Sequence, residues 1–227
     1  MNLLETMKRA IFDMDGTLLD SMGMWAELGK ELIRAHGKIP AEHVWYDLKV
    51  LNSVETAQYL IKNYGFEGSV ESVVEEIDNA AYRHYSTDLY LKPGAEALLR
   101  RLKTLHIPAI LATATDKRLV RACLSRLGIE HYFFALNSCE DFHTSKNSPL
   151  IFQKSAEMAG VPVSHAVVFE DALHAIRTAH NAGFPVVAVH DHAADDSTEP
   201  PLSDWKRIIP LADITCANPG QMVPLLG

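Results

Sequence analysis

The chain has 227 residues, 48% of them apolar and 22% charged, with a formal net charge of −8. That suffices for one large domain, or for a core carrying a smaller insert, with the composition of a packed globular protein. The acidic balance and the lack of any basic stripe argue against a nucleic-acid footprint, yet an anionic small molecule can still be held by a few cations focused in a cleft.

The first predicted strand is Lys8–Asp13 (KRAIFD), a short apolar run that ends on an acid. From about Met22 to Thr87 only helical patterns follow. Trp25, Leu28 and Leu32 begin one that Gly37 ends, and Ala57, Leu60, Ile61 and Tyr64 form another ended by Gly65. Val70, Val73, Val74, Ile77, Ala81, His84 and Tyr85 form the longest. Strand and helix then alternate. A helix marked by Leu98, Leu102 and Leu105 leads to a strand at Ile107–Thr113 (IPAILAT). One with Val120, Cys123, Leu124 and Leu127 leads to Tyr132–Leu136 (YFFAL). A third, with Ile151, Phe152, Ser155, Ala156 and Ala159 and with Pro149 in its first turn, leads to His165–Phe169 (HAVVF). Phe184–Val189 and a weaker run near Ile214 complete the strands.

These runs are continuously apolar more than alternating, as expected of strands covered on both faces. Gly128, Gly160 and Gly183 stand where helices should stop. The order predicts an α/β fold: a doubly wound parallel sheet, Rossmann-like, interrupted after its first strand by an all-helical insert. The core is expected at 1–20 and 89–227, and the insert at 21–88.

Cys123, Cys139 and Cys216 are odd in number and far apart, without a CxxC pair, so reduced thiols are expected and neither a disulfide framework nor a zinc site. The N-terminal apolar run is cut short at Asp13 and no stretch has the length of a membrane span, so a cytoplasmic setting is the expectation. A monomer is expected, since no heptad seam is present.

The stretch FDMDGTLLDS, residues 12 to 21, places two carboxylates two positions apart at the end of the first strand. A calcium loop would need Gly at its sixth position, whereas Gly16 falls at the fourth. Solvated acids in a turn are the plain alternative. In open α/β sheets, however, ligands bind beyond the carboxyl ends of the strands. Side chains two apart on an extended segment point the same way, so Asp13 and Asp15 can address one ligand, and Gly16 lets the chain turn sharply.

Other strand ends bring Thr113 and Thr115 (LATATDK), Lys146 (HTSKNSPLIF), and Glu170 with Asp171 (VVFEDALHA) to the same edge. Each taken alone reads as a helix cap, a dipole partner or a solvated lysine. Together they suit phosphoryl transfer. The acids call for a hard cation such as Mg²⁺. Asp13 can then attack phosphorus to form an aspartyl-phosphate, and the metal and Lys146 can neutralise phosphoryl charge. Thr113 and nearby backbone N–H groups, those of Met14 and Ala114, can hold the remaining oxygens. Asp15 can protonate the leaving oxygen and then activate water.

Those motifs resemble the haloacid dehalogenase superfamily phosphatases with a type 1 helical cap, the β-phosphoglucomutase-like branch above all. FDMDGTLLDS matches the first motif, LATAT the second, Lys146 the third and FEDALHAI the fourth. The resemblance implies Asp13 as nucleophile, Asp15 as general acid/base, and Thr113 with Lys146 as the phosphate-binding pair. It also implies Mg²⁺ held by Asp13, the Asp15 carbonyl and Asp171, with Glu170 a direct or water-mediated contributor. The insert becomes a cap that closes over the site, hinged near Leu19–Gly23 and Thr87–Pro93.

The chain departs from the family at SKNSPL, which keeps Lys146 and Pro149 of the third motif, and at Ala172 and Ala175 in the fourth. Dehalogenases and phosphonatases lack an acid where Asp15 stands, so phosphate-ester chemistry is expected. Mutases carry a His where Trp25 stands and an Arg in the cap's substrate loop, where DLKVLNSVETA offers Lys49 but no Arg. A hydrolase of a sugar or nucleoside phosphate is therefore preferred over a mutase, and over a non-catalytic phosphometabolite-binding protein. Lys49, Asn52 and Ser53 are the cap residues expected to meet substrate. Asp116 and Lys117 are expected at the surface, and His190, Asp191 and His192 in a solvated loop.

Overall fold

The computed structural model describes residues 6–49, 51–195 and 202–226. Six strands form one parallel sheet: β1 (Arg9–Phe12), β2 (Ala109–Thr113), β3 (Phe133–Ser138), β4 (Ala166–Glu170), β5 (Val186–Val189) and β6 (Ile214–Cys216). Their order is β3-β2-β1-β4-β5-β6. The chain therefore reverses its direction of travel across the sheet between β1 and β4, which is where open α/β sheets place their ligand crevice. β1 is flanked on both sides and buried along most of its length.

Register positions the strand ends. Phe12 lies opposite Leu111 on one side and Phe169 on the other, and the two phenyl rings stack at 4.3 Å. The next residue, Asp13, still donates its N–H to the Phe169 carbonyl at 2.9 Å, so it leaves the sheet level with Glu170. Alternate residues of β1 serve opposite layers, as the pleat requires. Ala10 and Phe12 pack with α5 (Ala95–Thr104) and α6 (Lys117–Leu127), whereas Ile11 packs with α7 (Leu150–Met158) and α8 (Leu173–Asn181). The three cysteines are free and buried.

Between β1 and α5 stand four helices: α1 (Met22–Ala35), α2 (Val44–Leu48), α3 (Ser53–Tyr64) and α4 (Val70–Thr87). Local chemistry fixes their ends. Asn52 caps α3 by accepting the Glu55 N–H while the Glu55 carboxylate takes the Asn52 N–H, and Gly65 closes the helix in the left-handed region. Ser69 caps α4. The five-residue α2 was not expected, because it is too short to show a periodicity. Pro149 caps α7 from outside its first turn, and Gly160 and Gly183 follow the helix-capping Ala159 and Ala182 by one residue.

The two connections to the insert run side by side. Leu19 and Leu91 pair antiparallel, Lys92 donates to the Leu18 carbonyl at 2.8 Å, and Asp20 donates to the Tyr90 carbonyl at 3.0 Å. Leu28, Leu60, Ile77 and Tyr85 of the insert share one apolar cluster with Phe12 and Leu119 of the core. A short helix α9 (Asp204–Ile208) packs near α8. Among the described residues no helix is long and apolar enough to cross a membrane.

Candidate active site

The loop after β1 turns back at once. Gly16 has φ of +80°, and both Leu18 and Leu19 donate to the Met14 carbonyl, at 2.9 and 2.8 Å. A side chain at Gly16 would run into the Asp171 carboxylate, so Gly is required for space as well as for conformation. The loop brings Thr17 across to Asp171, where its hydroxyl donates to Oδ1 at 2.9 Å.

Asp13, Glu170 and Asp171 are buried, and each offers a carboxylate oxygen within 4.8 Å of the others. Lys146 is buried among them; its ammonium donates to Asp13 Oδ1 and to Glu170 Oε1, the latter at 2.6 Å. The other Glu170 oxygen accepts the N–H groups of Asp171 and Ala172 at 2.7 and 2.9 Å, which fixes the start of α8.

Burial, only partly offset by Lys146 and reinforced by Glu170 and Asp15, pushes the Asp13 carboxyl up to about 7. Burial and the charges of Glu170 and Asp13 hold Asp171 well above the usual carboxylate range. Burial by itself would lower Lys146, but Asp13 and Glu170 outweigh it and hold the ammonium above its usual range. Three buried carboxylates against one ammonium make an oxygen-only, electron-rich donor set, which fits a hard divalent cation such as Mg²⁺.

Asp15 faces a different set of partners. Ser21 and Tyr85 hydroxyls donate to its Oδ1, Ser21 at 2.7 Å, and the Thr115 hydroxyl donates to Oδ2 at 2.7 Å. Thr113 is buried at the end of β2, its hydroxyl accepting the Thr115 N–H at 3.1 Å. Burial, with Asp15 alongside, holds the Tyr85 hydroxyl above its usual range.

A cavity of about 200 Å³ opens over these groups. Asp13, Asp15, Thr113, Ala114, Lys146, Glu170 and Asp171 line it from the core, and Lys49, Asn52 and Ser53 from the insert. Met14 is fully buried and does not line it. Lys49 is already engaged: it donates to the Ala193 carbonyl at 2.9 Å and pairs with Asp204 at 3.4 Å. Asn52 spends its side-chain oxygen on capping α3.

Asp116 lines the cavity as well as capping α6, while Lys117 pairs with Asp141 at 2.6 Å. Of the loop that begins at His190, Asp191 is buried against Lys92 at 2.8 Å, and His190 and His192 both reach Asp195. Residues 196–201 of that loop lie outside the described residues. Sequence reasoning passed over Thr17 and Tyr85. Thr17 adjoins the first motif, which is a usable signal; Tyr85 sits 70 positions from Asp15 and reads locally as one more apolar residue of its helix.

A profile of the haloacid dehalogenase-like hydrolases matches residues 7–183. The phosphorylated carbohydrates phosphatase of Thermotoga maritima is 25% identical over 220 residues, 97% of this chain and 98% of that protein. The fructose-1-phosphate phosphatase of Escherichia coli is 28% identical over 187 residues, 79% of this chain and 94% of its own length. The crystal structure of a β-phosphoglucomutase from Clostridium difficile superposes with a TM-score of 0.75 at 22% identity, covering 95% of this chain and 93% of that one.

Proposed function

The chain belongs to the haloacid dehalogenase-like hydrolases and is a phosphoric monoester hydrolase, and within that class we propose a Mg²⁺-dependent phosphatase that works on small phosphorylated metabolites through an aspartyl-phosphate. The observation that carries this assignment is the placement of buried Asp13 against Lys146, Glu170 and Asp171 at the end of the central strand, with Asp15 two residues on.

Asp13 attacks the phosphorus of the ester, and the bond from phosphorus to the alcohol oxygen breaks. Asp15 gives that oxygen its proton, then takes a proton from the water that attacks the phosphorus of the aspartyl-phosphate; Asp13 leaves as a carboxylate and inorganic phosphate departs. Lys146 aims the nucleophile and offsets phosphoryl charge, and the Thr113 hydroxyl and the Ala114 backbone hold the phosphoryl oxygens. Asp13, Asp171 and the Asp15 carbonyl, with Glu170, would hold Mg²⁺, which when bound draws charge from the transferring group. Residues 21–88 form the cap, whose Asn52 and Ser53 meet the alcohol half of the substrate, while Lys49, bonded to Ala193 and Asp204, holds that wall of the cavity in place.

Sugar phosphates are the favoured class, since two relatives are named for them, with nucleoside phosphates next. The test is phosphate release from a panel of sugar phosphates, nucleotides and an aryl phosphate, with Mg²⁺ and with chelator, for wild type and Asp13→Asn. Release that needs both Mg²⁺ and Asp13 is expected. Isomerisation of sugar phosphates without release would replace the assignment by a mutase, and silence in both assays by a binding protein.

A further inference from the structure

Asp15 is held from two sides. Ser21 and Thr115 belong to the core and its margin, whereas Tyr85 comes from the last turns of α4 in the insert and is fully buried. Its hydroxyl also meets Trp25 of α1, whose Nε1 lies 3.2 Å away. One of these directions is forced. An indole N–H only donates, so the Tyr85 oxygen accepts from Trp25, and the Tyr85 proton goes to the ionised Asp15 at Oδ1. Trp25 and Tyr85 also pack edge to face at 6.1 Å.

The backbone at Tyr85 is tied to the core. Arg126 of α6 donates from Nε to the Tyr85 carbonyl at 3.2 Å, and its guanidinium also reaches the Leu89 carbonyl. Tyr85 thus stands where the insert joins the core, fixed by one guanidinium and directed by one indole.

We propose that Tyr85 is a positioning residue that holds the Asp15 carboxylate in line for proton transfer, with Trp25 setting the direction of its hydroxyl. This rests on the proton-transfer role assigned to Asp15 above. The carboxylate of a general acid must lie within hydrogen-bond reach of the leaving oxygen, and a side chain free to rotate spends little time there. With Tyr85 absent, Oδ1 keeps Ser21 alone among the described residues.

The test compares Tyr85→Phe and Trp25→Phe with wild type and Asp15→Asn, on an alkyl phosphate and on 4-nitrophenyl phosphate, with Mg²⁺ saturating. An alkoxide needs a proton to leave and nitrophenolate does not, so kcat/KM separates positioning of the acid from damage to the site. For Tyr85→Phe the alkyl ester is expected to lose roughly ten- to a hundredfold, the range of one hydrogen bond to a charged group, and the aryl ester less than about threefold. Trp25→Phe should show the same preference with a smaller loss. Equal losses on both esters, or none on either, while Asp15→Asn still discriminates between them, would overturn the role of Tyr85 and leave the phosphatase standing. An Asp15→Asn enzyme that does not discriminate would overturn the assignment of Asp15, and the role of Tyr85 with it.

Discussion

Asp13→Asn should end turnover and, in the presence of chelator, make the protein more stable than wild type. Asp13, Glu170 and Asp171 crowd three buried carboxylates around the single ammonium of Lys146. Burial, net of the Lys146 attraction, moves the Asp13 carboxyl from 3.8 to about 7. Between those values the folded chain keeps a proton that the unfolded chain has released. Stability therefore falls as pH rises through this window and levels off above it.

At about 1.4 kcal/mol per pH unit, ionised Asp13 costs the chelated protein about 4 kcal/mol at pH 8, and under about 2 kcal/mol at pH 5. Asn keeps the shape, carries no charge and escapes that cost at both. Urea unfolding of the two proteins in EDTA at pH 8 and pH 5 measures the gap, and adding Mg²⁺ should narrow it by stabilising wild type through binding. An Asn variant no more stable than wild type in EDTA at pH 8, or a gap that widens as pH falls, would refute the account.

Two further predictions concern the frame of the site. Gly16→Ala puts a side chain at positive φ, for about 1–2 kcal/mol, and presses it on Asp171. The variant should fold with a lowered Tm and lose on the order of a hundredfold in kcat, the scale of a 1 Å misplacement; unchanged kcat would contradict the contact. Lys49→Met removes the ammonium that joins the insert to Ala193 and Asp204. Amide hydrogen exchange in α2 and in residues 192–195 should quicken by roughly tenfold or more, as for a lost buried charged hydrogen bond, while β1 and β4 stay protected. Equal exchange would mean that Lys49 does not hold the insert down.

What the sequence made legible was what local pattern encodes. Five strands announced themselves by short apolar runs and the one near Ile214 only weakly, and the longer helices of the insert by the three- and four-residue spacing of residues such as Leu28 with Leu32 and Val73 with Ile77. Because the sheet is parallel, knowing the strand ends was enough to expect Asp13, Thr113, Lys146 and Asp171 at one edge. Pairings between elements left no such trace. Lys49 was expected to meet substrate and lines the cavity, but its bonds to Ala193 and Asp204 depend on how the insert docks. Tyr85 fits its helix as an apolar residue; only the fold shows that its hydroxyl ends at Asp15. Thr115 was noticed with Thr113, yet which hydroxyl faces which carboxylate is decided by a turn at the end of β2.

The strand order also sets a timetable for synthesis. β1 leaves the ribosome early, but its two neighbours in the sheet are β2 and β4, with Ala10 opposite Ala109 and Val167. Lys146 follows Asp13 by 133 residues. At 5–20 residues per second the strand that ends at Asp13 waits roughly ten to thirty seconds for its second partner. Its open edge is exposed to wrong pairing throughout. The helices of the insert pack on one another and, through α4, on α6, all of which leave the ribosome before β4, so they can form during that wait. The nascent chain therefore completes the helices of its insert before the acidic cluster, and a chain cut short before β4 carries Asp13 without Glu170 and Asp171.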